Sequence, residues 1–239
     1  MRFRFLLALG LVLVGLTRAA SPDQDPTQFA KLVESRRSLE AKKPQEALQL
    51  IEEVIAFYDR VYRDEKAQLY CARTQVETVR YLVGHVAGGK PEAGPPAKKA
   101  ARVVSSNYAD AYYMRSYALV ELRRIAEAEQ SLQKAIELSP ENAQYLGELA
   151  YLLQLEKKWE ASLELFGRAA EAARVYSPEE LKVGETTRAL RGQGYCLVEM
   201  GRWADAEAKY QECLKLNPND RASQGELKYI AQLKAKPLK

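Results

Sequence analysis

The sequence predicts an all-α protein, a right-handed α-solenoid of four to five helical hairpins closed by a C-terminal capping helix. Three observations carry that prediction. Ala, Leu, Glu, Lys and Arg make up roughly half of the chain, a composition that favours long helices over sheets. A fixed series of small and large residues recurs along the chain. Polar turns interrupt each copy of the series, and a proline closes the best copies. The 239 residues are 47% apolar and 28% charged, which excludes wholesale disorder, and three cysteines exclude a disulfide-dense scaffold.

The first element is a leader over residues 1–19. Arg2 and Arg4 form a basic start, Phe5 to Leu16 is an apolar run, and Thr17 and Ala19 place small residues where a signal peptidase reads. A helix of that run would span about 18 Å, short of the roughly 30 Å of a bilayer core. The expectation is an exported chain, periplasmic or secreted, cut after Ala19 and without a membrane span in its mature form. The formal charge is +4, and three of those charges (Arg2, Arg4 and Arg18) belong to the leader. The near-neutral remainder makes no electrostatic case for nucleic acid. Residues 20–26 read as a linker.

The repeats follow. Ser116, Ala128, Leu132, Ala135 and Pro140 are spaced by twelve, four, three and five residues. Gly194, Ala206, Tyr210, Cys213 and Pro218 keep the same steps. Ala150, Ser162, Phe166 and Ala169 keep the first three, as do Ser35, Ala47, Ile51 and Val54. Steps of three and four fall on one helix face. Small residues on two antiparallel helices let the backbones approach, and large ones such as Leu119, Leu153 and Leu197 fill the gap to the next pair. Such a hairpin cannot bury its apolar face alone and must stack on neighbours.

This series resembles the tetratricopeptide repeat. The stretch GRWADAEAKYQECLKLNPND at 201–220 is similar to the family's second helix and exit turn, and SNYADAYY at 106–113 to its repeat junction. The resemblance places repeats at about 27–60, 109–142, 143–176 and 187–220, with Asp59 and Arg174 where two exit prolines would stand. Between the first two lies a degenerate unit, 64–106. Its helices are expected over Asp64–Val86 and Ala97–Ser105, around a Gly- and Pro-rich loop at 85–96. The linker 177–186 lengthens the helix entering the last repeat. Ser177, Pro178 and Glu180 read as its start: a capping hydroxyl, a first-turn proline and an early glutamate. Residues 221–239 form the cap and tail, with Leu227, Ile230 and Leu233 on one side of a helix over Arg221–Lys234.

No catalytic constellation is present in the sequence. The single histidine, His85, lacks companions at metal-ligand spacing and reads as an ordinary surface residue. No phosphate loop, dinucleotide fingerprint or nucleophile elbow occurs. The expectation is therefore a non-enzyme without cofactor or metal. Cys196 and Cys213 lie on the two helices of the last repeat, where a disulfide is geometrically conceivable. Cys213 equally occupies a place that suits a small buried residue, and Cys71 has no evident partner.

A tyrosine directly follows the small residue of three first helices: Tyr117 after Ser116, Tyr151 after Ala150, Tyr195 after Gly194. The resemblance implies that this place faces the concave side, where the family binds extended peptides or partner helices. It therefore implies a groove lined by Tyr117, Tyr151 and Tyr195, with Tyr113 one turn earlier and Arg188 and Arg191 at the far end. Tyrosine brings apolar area at low entropy cost, and arginine brings carboxylate recognition. The expected occupant is a segment of another envelope protein with apolar side chains and an acidic group near the 187–200 end. Stacked tyrosines would alternatively suit a glycan fragment, and the chain would alternatively serve as a regulatory subunit of an envelope enzyme. The family's paired Lys and Asn for a free C-terminus are not evident.

Overall fold

A computed structural model describes residues 25–87 and 100–235, the side chains of 84–87 excepted. The leader, part of the loop expected at 85–96, the side chain of His85 and the last four residues lie outside this description. Among the described residues ten helices and two short strands follow in the order α1 (Pro26–Glu40), α2 (Pro44–Val61), β1 (Gln68–Cys71), α3 (Gln75–Ala87), β2 (Ala101–Val104), α4 (Ser106–Glu121), α5 (Ile125–Leu138), α6 (Ala143–Leu155), α7 (Trp159–Tyr176), α8 (Glu179–Glu199), α9 (Trp203–Leu216) and α10 (Arg221–Ala235). The architecture is an α-solenoid. Helices pair as α1–α2, α4–α5, α6–α7 and α8–α9, α2 packs on α4 across the strand-containing unit, and α10 covers the last pair. No described helix is long and apolar enough to cross a membrane.

Each hairpin turns by the same device. Lys42, Arg123, Lys157 and Gly201 adopt φ of 58°, 62°, 58° and 72°. The next residue's amide then reaches back five places along the chain, as Arg124 to the Leu119 carbonyl and Arg202 to that of Leu197, both at 2.8 Å. This is the Schellman closure. A side chain in that left-handed region costs roughly 1–2 kcal/mol. Three of the four turns bear it, and only the last uses glycine.

The small residues of the series are buried where the helices cross: Ser35, Ala47, Ser116, Ala128, Ala150, Ser162 and Ala206. In the third pair Ser162 donates its hydroxyl to the Ala150 carbonyl at 2.7 Å, so the crossing is bonded as well as packed. In the fourth pair the crossing is tighter. A Cβ on Gly194 would stand 2.6 Å from the Tyr210 ring, so glycine is required. Between crossings Ile51, Leu119, Leu132, Leu146 and Leu190 are fully buried, each stabilising by about 1.5–3 kcal/mol relative to exposure. Ile230 of α10 is fully buried against the last pair, and Leu227 packs beside it.

The degenerate unit departs from the two expected helices. It is a strand, a helix and a strand, with β1 and β2 paired in parallel, Gln68 opposite Ala101 through Cys71 opposite Val104. Parallel strands need a long crossover, and α3 lies within it. The helix starts at Gln75 rather than at Asp64. Thr74 stops it by capping: its hydroxyl accepts the Glu77 amide at 3.1 Å. The unit is stapled to the solenoid by Arg73, which pairs with Glu77 on one side and, at 2.8 Å, with Glu185 of α8 on the other. Thr74 donates to the Tyr176 carbonyl at 3.1 Å, and the Tyr81 hydroxyl accepts the Glu141 amide at 3.2 Å. Ser177 does not cap α8. Its hydroxyl binds Glu185 and accepts from Arg73, and the Pro178 carbonyl takes the first helical amides.

Candidate functional site

The three repeat-equivalent tyrosines stand on α4, α6 and α8. Tyr117, Tyr151 and Tyr195 are 40%, 47% and 43% exposed, although each follows a buried small residue. They open into two adjoining hollows. A small one of about 70 Å³ lies between Tyr117 and Tyr151, floored by Ser116, Leu132 and Leu152. A larger cleft of about 460 Å³ lies between Tyr151 and Tyr195, floored by Gly147, Phe166 and Gly192. Tyr151 lines both. The cleft is closed at its far end by Ala222 and Glu226 of α10.

Tyr113 is less available than its neighbours. It is half-buried, its ring stacks on Tyr145 with centroids 5.0 Å apart, and its hydroxyl accepts from Gln144 at 2.7 Å and donates to Tyr117 at 3.2 Å. Tyr113 thus supports the row from behind. Tyr117 in turn donates to Glu148 at 2.6 Å. Burial, and then that acidic neighbour, raise the Tyr117 phenol above its ordinary range. Burial is also the main cause of the upward shift at Tyr195, with Glu199 next.

The two arginines do not offer free charge to an acidic partner. Arg188 pairs with Glu148 at 2.5 Å, on the same carboxylate oxygen that Tyr117 uses. Burial opposes the Arg188 charge, but Glu148 outweighs it and holds the guanidinium protonated. Arg191 pairs with Asp220 at 2.7 Å. Asp220 also accepts the amides of Ala222 and Ser223, capping α10. Burial works to raise the Asp220 carboxyl, but Arg191 and these donors outweigh it and lower the pKa. Glu226 faces the cleft without an ion-pair partner among the described residues. The sequence points to an acidic occupant at the 187–200 end; in the structure both arginines already have carboxylate partners within the chain itself.

The conceivable Cys196–Cys213 disulfide is not formed; Cys71, Cys196 and Cys213 are buried free thiols. The two sulfurs have separate partners. Cys196 donates to Ser162 at 3.3 Å and accepts from Gln154 at 3.2 Å, whereas Cys213 donates to the Thr187 carbonyl at 3.5 Å. Burial raises the Cys213 thiol, and pushes that of Cys71 up to about 12. No group of His, Cys, Asp and Glu among the described residues has the geometry of a metal site.

Glu148, Gln154, Asp220 and Glu226 shape the site without having been singled out in the sequence. The repeat spacing carries a signal for Glu148 and Gln154, each three residues from Tyr151 on α6. Asp220 and Glu226 enter from the C-terminal end of the chain, at and within α10.

Residues 109–142 and residues 187–220 each match a model of the tetratricopeptide repeat. No curated protein sequence matches the chain. Among solved structures the fold is similar to that of Pseudomonas aeruginosa pilF, with a TM-score of 0.59 and 14% identity over 88% of this chain and 70% of that one. It is similar to a Podosopora anserina chain of nearly identical TPR-like repeats, with a TM-score of 0.57 and 13% identity over 90% and 89%. It is also similar to a double mutant of MamA RS-1, with a TM-score of 0.54 and 16% identity over 87% and 85%. At these identities the likeness is one of fold.

Proposed function

We propose that this chain, a member of the tetratricopeptide-repeat family, is a non-enzymatic protein-interaction module that holds a segment of a partner protein along its tyrosine row. The observation that carries this reading is the continuity of the row. Three tyrosines at equivalent places, each about half exposed, line two hollows that share Tyr151. Rigid aromatic side chains set over a packed floor provide contact area at low entropic cost. The leader in the sequence supports export, and the role proposed is assembly or scaffolding of a complex in the cell envelope, with another envelope protein as the partner. The experiment is affinity recovery of partners with Tyr117, Tyr151 and Tyr195 changed together to Ala. Loss of the recovered protein with unfolding unchanged supports the reading; undiminished recovery removes it.

A second reading, a carrier of a small ligand such as a glycan fragment, is favoured by one observation. The cleft of about 460 Å³ falls within the ordinary range of small-molecule sites. A saturable thermal shift with soluble glycans, abolished by Tyr151→Ala, would favour it over the first. A regulatory role beside an envelope enzyme has no observation of its own.

A further inference from the structure

Gly147 occupies the place that Tyr113 fills one period earlier and Arg191 fills in the last repeat. A glycine inside a helix costs about 0.5–1 kcal/mol relative to alanine. Packing does not demand it here, because a Cβ at Gly147 would meet nothing within 4 Å. The side chain is missing where the cleft needs depth: Gly147 forms its floor, with Tyr151 one turn above it on α6.

One charge on the cleft lining has no ion-pair partner among the described residues. Arg188 and Arg191 are already committed to Glu148 and Asp220. Glu226, on the cleft wall, and Glu199, one turn after Tyr195, have no ion-pair partner among the described residues. Of the three charged side chains that line the cleft, the two arginines are thus neutralised within the chain and Glu226 is left to meet a cation. The lining is aromatic: Tyr151, Tyr195 and Tyr210 with Phe166 on the floor. An aliphatic stem suits such walls, and a cation suits both the faces of the exposed tyrosines and the free carboxylates.

We propose that the cleft between Tyr151 and Tyr195 receives one arginine or lysine side chain of the partner segment, its stem on the aromatic walls and its head at Glu226 and Glu199, with Gly147 as the residue that opens the pocket. The inference rests on the interaction reading above and names the chemistry that the row selects.

The test is selection of a random twelve-residue displayed peptide library on the full chain, followed by binding titrations of the enriched peptides. Enrichment of a basic residue at a fixed place is expected. Glu226→Gln should weaken the enriched peptides about tenfold, and Gly147→Tyr, which restores the bulk of its equivalents, should abolish binding. Thermal unfolding checks that Gly147→Tyr folds, and Glu226→Gln carries the test if it does not. Acidic or uncharged anchors, or affinities that neither variant changes, would overturn the proposal. If enriched peptides lack a basic residue yet lose binding in the triple tyrosine variant, this proposal falls and the interaction reading stands. If no peptide is enriched, both fall.

Discussion

Tyr117 donates its hydroxyl to the Glu148 carboxylate across 2.6 Å, tying the first helix of one hairpin to the first helix of the next. Arg188 of the following hairpin holds the same oxygen. One carboxylate, only 8% exposed, thus spans three successive repeats at the floor of the row. Glu148→Ala would leave the phenol and the guanidinium without their acceptor. Because Arg188 is itself nearly half exposed, screening reduces the loss, and the cost expected is about 1–2 kcal/mol. Thermal unfolding should show a drop of several degrees, and Glu148→Gln should recover part of it by still accepting the Tyr117 hydroxyl.

Two glycines of the inner helices should respond oppositely to alanine. At Gly147 the added methyl enters open space, and helix propensity predicts a gain of about 0.5–1 kcal/mol. At Gly194 it meets the buried Tyr210 ring at 2.6 Å, and overpacking predicts a loss of about 1–3 kcal/mol. Paired denaturant titrations check the sign. A gain at Gly194 would show that the helix crossing relaxes freely.

Gly201 is the one glycine among the four equivalent left-handed turns. Gly201→Ala should cost about 1 kcal/mol through its positive φ alone, since nothing crowds the position. Chemical denaturation of the variant measures it.

The thiols should be silent in the folded chain. All three are buried, and burial pushes that of Cys71 to about 12. A thiol reagent at pH 8 is expected to find no fast-reacting cysteine before denaturation and three after it, without reductant. Only one reactive thiol after denaturation would mean that Cys196 and Cys213 had paired.

Asp110 makes a pH-dependent contribution. Burial, the largest influence, raises its carboxyl despite the Tyr145 hydroxyl that donates to it at 2.6 Å. The folded chain therefore holds this proton more tightly than the unfolded chain. Its contribution to stability is full below the ordinary aspartate pKa of about 3.9 and is lost as pH rises through the raised value. Asp110→Asn keeps an acceptor for Tyr145 and removes the titration. Melting temperatures across pH 4–7 should fall less steeply with rising pH in the variant than in the parent; equal slopes would contradict the assignment.

The repeats were legible because each copy of the series reports the same geometry. Ser116, Ala150 and Gly194 share one environment, so the direction of Tyr117 carries over to Tyr151 and Tyr195. The strand–helix–strand unit was not legible by that route, having no second copy in the chain. Its local signals were present: Thr74 with Glu77 at a helix start, and Val103–Val104 in a short β-prone run. The periodic apolar residues on either side outweighed them. The state of Arg188 and Arg191 was hidden for a different reason. Their partners lie 40 and 29 residues away, on α6 and at the N-terminal cap of α10, and no spacing rule joins them. Gly147 was readable in register, 34 residues after Tyr113, but its meaning depends on the cleft that only packing creates.

The most direct measurement is site-specific photocrosslinking in cells that express the chain, with the probe placed in turn at residues 117, 151, 195 and, as a control on α7, 164. The account predicts one common partner captured from the three tyrosine positions and not from 164. Capture that is equal from all four, or confined to 164, would contradict it.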